Sequence, residues 1–170
     1  YNLAEDILYS GTVGAAMEGA LQGIKSIAMS QCYSKESLSL DNRFESAKAK
    51  GANICLKLLN SSIWNSKPYQ VFYNVNFPAI KPAEIKGISL CKQGRRPKGS
   101  FSMNSMLSPN GRTFLMVNHR PDKLLENTNS NKDSDLEKIN NNFITITPLH
   151  AELTDYCHLE NLKKIFQNES

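Results

Sequence analysis

The 170-residue sequence lacks the features that mark several classes of protein. It has no apolar run near the roughly 18 residues of a membrane-spanning helix, so we expect no membrane association. Its cysteines form no C-x-x-C pair, and their spacing fits neither a zinc site nor a dense disulfide framework. The net charge of +4 is mild, whereas nucleic-acid-binding proteins usually carry a stronger basic footprint, so we expect no nucleic-acid partner.

Common catalytic motifs are missing as well. The sequence contains no G-x-x-x-x-G-K-[ST] phosphate loop and no G-x-S-x-G nucleophile elbow. Its three histidines show no H-x-x-x-H spacing, and nothing in the sequence pairs any of them with a candidate serine nucleophile. We therefore expect neither a histidine zinc centre nor a Ser-His-Asp hydrolase.

Apart from these absences, the amino-acid composition is typical of one folded domain. Apolar residues make up 40% of the chain and charged residues 21%, which is enough for a hydrophobic core and argues against wholesale disorder. The four scattered cysteines are typical of buried thiols in a reducing compartment, and they predict a cytoplasmic location. The first residues open on a polar stretch with no Met, which we interpret as a cut made inside a domain.

Hydrophobic periodicity predicts an α/β fold, because helical and strand patterns alternate along the chain. A small-residue helix at residues 13–23 is followed by a short buried strand at 24–30. Residues 43–60 form the clearest amphipathic helix. Further strands are predicted at residues 70–77, 87–92 and 143–147.

The second half of the chain carries a hairpin signal. Residues 100–106 and 112–118 alternate loosely in polarity, and they flank the turn sequence Pro109-Asn110-Gly111. Residues 126–135 are rich in Asn, Ser, Lys and Asp, which predicts an exposed loop. Residues 158–167 predict a short terminal helix with an apolar side.

The sharpest local candidate for a site is Ser10-Gly11-Thr12 at the start of the first helix. Backbone N–H groups and the helix dipole favour an anion at such a position, and glycine allows a phosphate to approach closely. An N-cap followed by a packing glycine explains the same residues, so both interpretations stay open.

Two charged segments have similar alternatives. Glu5 and Asp6 precede the same helix, and we interpret them as solvent-exposed acids compatible with its dipole. The basic cluster at residues 92–98 follows a strand, where it could steer an anionic substrate. We favour the simpler interpretation of that cluster as a solvated loop.

Four ordered segments resemble the SurE survival-protein family. The first is residues 2–19, which contains the Tyr-Ser-Gly-Thr-Val run, and the second is Asn-x-Asn-x-Pro at residues 74–78 with Ile-Lys-Gly-Ile at 85–88. Gln-Gly-Arg-Arg follows at residues 93–96. The last segment is Asp135 with the run at residues 143–150. Together they span nearly the whole chain.

This resemblance implies a metal-dependent phosphatase that hydrolyses nucleoside 5′- and 3′-monophosphates, a 5′-nucleotidase or acid phosphatase. It implies a Rossmann-like, three-layer α/β fold with an extended β-hairpin and a C-terminal helix. Phosphate would be bound by Asn2, Ser10, Gly11 and Thr12. The resemblance implies one domain spanning residues 1–170. A homodimer or homotetramer would form through the hairpin at residues 100–118 and the tail at residues 154–170.

The family's metal ligands, an Asp-Asp pair, a Ser and an Asn, have no counterpart in this sequence. The resemblance therefore implies a Mg²⁺ or Mn²⁺ ion whose ligands, like the catalytic residues, are expected upstream of Tyr1, and the 170 residues alone are expected to be inactive. The alternative is a non-catalytic, oligomerising fragment that binds anions or nucleotides. Family members often carry Gly where Ala4 stands, and residues 123–132 match no motif.

Overall fold

The structure is a computed structural model that describes residues 1–33, 43–61, 63–64, 69–119 and 132–166. The predicted loop at residues 126–135 and the unmatched segment at 123–132 therefore lie mostly outside the described residues. The helices are α1 (Gly11–Leu21), α2 (Glu45–Leu59), α3 (Asp135–Asn140) and α4 (Tyr156–Phe166). The strands are β1 (Ile27–Gln31), β2 (Phe72–Phe77), β3 (Gly87–Leu90), β4 (Phe101–Leu107), β5 (Thr113–His119) and β6 (Phe143–Leu149).

A four-stranded mixed sheet forms the middle layer, in the order β1-β2-β6-β3. Strand β2 pairs in parallel with β1 and antiparallel with β6, and β3 runs parallel to β6. All six residues of β2 are buried, because helices cover both faces of the sheet. The predicted α/β architecture is confirmed.

Helices α1 and α2 pack on opposite faces of this sheet, since neighbouring residues of a strand point to opposite sides. Val13 and Ala16 of α1 join a core cluster with Phe72, whereas Ile54 of α2 packs with Val75. This arrangement gives three layers. The amphipathic pattern predicted α2 to within two residues of its ends, and Phe44, which precedes its first residue, is half exposed.

The predicted hairpin is confirmed, with each strand displaced by one residue. Strands β4 and β5 form a separate two-stranded sheet joined by a turn in which Gly111 takes a positive φ of 78°. Apolar side chains of this hairpin are largely solvent-exposed, among them Met103, Leu107 and Leu115. Helix α4 also leaves its apolar side exposed, and no helix among the described residues is long and apolar enough to cross a membrane.

A 3₁₀ helix at Ala4–Tyr9, which the sequence analysis did not predict, joins the first residues to α1. The buried Ala4 adopts a positive φ of 49°, a conformation that glycine takes at lower cost. The departure from the family's glycine at this position therefore places a methyl group in a left-handed backbone conformation.

The carboxylate of Asp135 joins two distant segments of the chain to the start of helix α3. Its Oδ1 accepts hydrogen bonds from the N–H groups of Gly94 and Leu136, both at 2.7 Å, and its Oδ2 accepts one from Ala4 N–H at 3.1 Å. The side chain of Asp135 is fully buried, and Asp135 is the first residue of helix α3. The prediction that this residue belongs to an exposed loop was therefore wrong. A Cβ at position 94 would lie 2.6 Å from Oδ1, which explains the glycine.

Burial raises the pKa of the Asp135 carboxyl, and the three backbone donors oppose that rise. Replacing Asp135 with Asn should reduce the free energy of unfolding by about 1–3 kcal/mol. The Asn oxygen can still accept from Gly94 and Leu136, but its NH₂ group would face the buried N–H of Ala4. Urea denaturation monitored by circular dichroism measures the loss.

The matched control is Asp133→Asn, which makes the same chemical change at a side chain that is 66% exposed. Asn tolerates the positive φ of this residue, so its denaturation midpoint should stay close to that of the parent. Equal losses in the two variants would contradict a special role for the Asp135 carboxylate.

Candidate functional site

Asn2 is held in place by the first strands of the sheet. Its backbone N–H donates to Asn76 Oδ1 at 2.7 Å, and its carbonyl accepts from Asn76 Nδ2 at 2.9 Å and from Asn74 Nδ2 at 2.7 Å. Its own Nδ2 donates to Ser30 Oγ at 2.5 Å. The Asn-x-Asn motif of β2 therefore acts as a buried clamp on the residue predicted to bind phosphate.

The clamp stands on a polar strip inside the sheet. Asn74 and Asn76 lie opposite Thr147 and Thr145 of β6, and all four residues are at most 2% exposed. Within the described ranges, Asn74 Oδ1 and both threonine hydroxyls have no hydrogen-bond partner. An unpaired buried oxygen costs free energy, so these residues serve more than core packing.

Helix α1 begins directly beside Asn2. Ser10 caps it, because its Oγ accepts from Val13 N–H at 3.1 Å and its carbonyl accepts from Gly14 N–H at 2.8 Å. Gly11 and Thr12 are exposed, and their N–H groups belong to the first turn, which has no partners within a helix. The N-cap interpretation is confirmed, and the first turn keeps donors for an anion.

Two cavities meet at this helix start, and both are lined by Tyr1, Asn2 and Tyr33. The larger has a volume of about 770 Å³ and includes Ser10, whereas the smaller has about 290 Å³ and includes Thr12. Three of the four predicted site residues thus line adjoining cavities. A Cβ at Gly11 would meet no protein atom within 4 Å, so the space in front of that residue is open.

Arg96 closes one wall of the larger cavity. Its Nη1 lies 2.9 Å from Asp6 Oδ1, and its backbone N–H donates to Glu5 Oε2 at 2.6 Å. Its guanidinium lies over the rings of Phe101 and Tyr9, at 4.6 and 5.7 Å from their centroids. The interpretation of Glu5, Asp6 and this part of the basic loop as merely solvated was therefore wrong.

Tyr1 and Tyr33 were not predicted from the sequence as site residues, and Arg96 was considered only within the basic cluster that could steer an anionic substrate. Only the opposite charges at residues 5–6 and 95–96 could have suggested the ion pair, and their pairing was not visible in a linear sequence. Burial raises the pKa of the Tyr1 phenol to about 12, and the negative charge of Asp6 is the second largest cause of this rise. The Tyr1 side chain that lines the cavities is therefore neutral at neutral pH.

The described residues contain no group of three His, Cys, Asp or Glu side chains that could hold a metal ion. Ser10 Oγ caps α1, and His158 Nδ1 lies 2.7 Å from Asp155 Oδ2.

Comparisons with known proteins give one consistent result. The family model described as "Survival protein SurE" matches residues 1–100. A 5′-nucleotidase SurE of Jannaschia sp. is 44% identical over 164 residues, which are 95% of this chain and 61% of that protein. A 5′-nucleotidase SurE of Ruegeria sp. is 41% identical over 96% of this chain and 62% of its own length.

A solved structure agrees with these relatives. The crystal structure of the SurE protein from Aquifex aeolicus superposes with a TM-score of 0.72 and 32% identity, over 97% of this chain and 61% of that one. The chain thus spans about three fifths of the length of the relatives it matches. Since the family model covers more than half of the 170 residues and the relatives exceed 30% identity, the chain belongs to the SurE survival-protein family.

Proposed function

We propose that this chain supplies the phosphate-binding part of a metal-dependent phosphomonoesterase that hydrolyses nucleoside 5′- and 3′-monophosphates. The observation that carries the proposal is the placement of Asn2 beside the start of α1, where the two cavities adjoin. Relatives named 5′-nucleotidase at 41–44% identity support the substrate class.

In this proposal the phosphoryl group lies in front of the first turn of α1. The N–H groups of Gly11 and Thr12 donate to its oxygens, and the positive end of the helix dipole favours its charge. The Thr12 hydroxyl adds a donor from the smaller cavity. Asn2 lines both cavities, and the clamp from Asn76 and Asn74 fixes its position before substrate arrives.

The proposed enzyme uses a Mg²⁺ or Mn²⁺ ion, although the described residues contain no cluster of three His, Cys, Asp or Glu side chains that could hold one. The family's Asp-Asp pair, Ser and Asn ligands have no counterpart in the sequence, so we propose that the metal ligands lie outside these 170 residues. When bound, such an ion polarises a phosphoryl oxygen and activates water. The residues of this chain bind and orient the phosphate. The cytoplasmic location of the protein remains a prediction from its cysteine content.

The test is phosphate release from 5′-AMP, with Mn²⁺ and with EDTA, by the native gene product beside the 170-residue chain. We expect activity in the native protein that EDTA abolishes, and none in the 170-residue chain. Activity in the 170-residue chain would show that the metal ligands lie within these residues, contrary to the proposal. Activity in neither would favour the non-catalytic, nucleotide-binding alternative.

Thr12→Val in the native protein should raise KM or lower kcat for 5′-AMP, because it removes one donor at the proposed phosphate site while keeping the side-chain shape. Loss of a hydrogen bond to a charged group corresponds to roughly a tenfold fall in kcat/KM. Thr113→Val, the same change on an exposed hairpin strand, is the control. Unchanged kinetics for Thr12→Val would remove Thr12 from the site.

We also propose a homodimer or homotetramer built through the hairpin and the C-terminal tail. Leu115 of β5 is 69% exposed and Leu162 of α4 is 50% exposed, and other large apolar residues of the same two elements are exposed as well, among them Phe114 and Ile165. Contiguous exposed apolar surface is typical of protein interfaces.

Leu115→Glu or Leu162→Glu should lower the mass measured by light scattering, because a charge buried at an interface without a partner is costly. Leu56→Glu places the same charge at a leucine of α2 that is 59% exposed, between the two test residues, and should leave the mass unchanged. An unaltered mass in both test variants would argue against these two surfaces.

A further inference from the structure

We propose that the aromatic wall of the larger cavity, formed by Tyr9, Phe101 and Arg96, binds the base of the nucleotide. This inference rests on the proposed function and extends it, since neither the family match nor the relatives' names assign these residues a role. The same cavity is lined by Asn2 and Ser10, which lie at the proposed phosphate site.

The size and lining of the cavity favour an aromatic ligand. Its volume of about 770 Å³ falls in the range of roughly 300–1,000 Å³ typical of small-molecule sites, far more than a phosphate needs. Three aromatic residues besides Tyr1 line it: Tyr9, Tyr33 and Phe101. Tyr9 is 80% exposed and Phe101 is 45% exposed, so these rings retain accessible surface for stacking.

The charge balance at Arg96 argues for a neutral base at this wall and against a second phosphate. The Asp6 carboxylate lies 2.9 Å from Arg96 Nη1, and both side chains are largely buried, at 15% and 21% exposure. The guanidinium charge is therefore already compensated. Its planar group, held over Phe101, remains suited to stacking with a base, as arginine and aromatic planes do in single-strand recognition.

Arg96 is also held more firmly than a surface arginine. Its backbone N–H donates to Glu5, and Gly94 two residues earlier donates to the buried Asp135. A pre-positioned platform loses less conformational entropy when a ligand binds. The loop that follows β3 thus becomes one wall of the proposed base site.

The test compares the native gene product's activity on 5′-AMP and on ribose 5-phosphate, which carries a hydroxyl group where 5′-AMP carries the base. Tyr9→Ala and Phe101→Ala should each lower kcat/KM for 5′-AMP by roughly tenfold, because one stacking contact is lost. The kcat/KM for ribose 5-phosphate should change less than about twofold. Leu8→Ala, an exposed neighbour in the same 3₁₀ helix that does not line the cavity, is the control.

An equal fall for both substrates would indicate a structural role and overturn the proposal, as would no fall for either. Calorimetric titration with adenosine separates this inference from the proposed function, since it needs neither phosphate nor catalysis. Adenosine binding that Tyr9→Ala weakens about tenfold would support the base site even in a protein without phosphatase activity. No adenosine binding by the native protein would overturn it.

Discussion

The buried carboxylate of Asp135 is the interaction on which the site depends. It accepts N–H groups from Ala4, Gly94 and Leu136, which belong to the first turn of the chain, the loop after β3 and helix α3. A carboxylate buried this completely requires compensation by several donors, and the backbone supplies all three. The same bonds therefore stabilise the charge and fix two segments that border the cavities.

Two further contacts build on that anchor. Asn76 pairs its side-chain amide with both backbone groups of Asn2, and Arg96 joins the loop after β3 to Glu5 and Asp6. Each of these contacts joins one of the first six residues to a distant part of the chain. The Asn2 clamp depends on the parallel pairing of β1 with β2, which brings Ser30 beside Asn76.

The division of chemistry within the site follows from this construction. Backbone N–H groups at the start of α1 and the clamped Asn2 suit an anion, whereas the wall around the compensated Arg96 suits an aromatic, neutral group. A nucleoside monophosphate carries both kinds of group in one molecule. Hairpin residues also line the larger cavity, since Phe101 and Val117 belong to β4 and β5.

Local patterns in the sequence determined the secondary structure of most elements, the N-cap at Ser10, the hairpin and the family resemblance, because each rests on residues close together in the chain. The roles of Asp135, Asn76 and Arg96 were decided only by tertiary structure. Their partners stand 131, 74 and 91 residues away, and periodicity reports which side of an element is buried without indicating what lies against it. Strand order brings such residues together, and only then can a buried carboxylate or a compensated arginine be recognised.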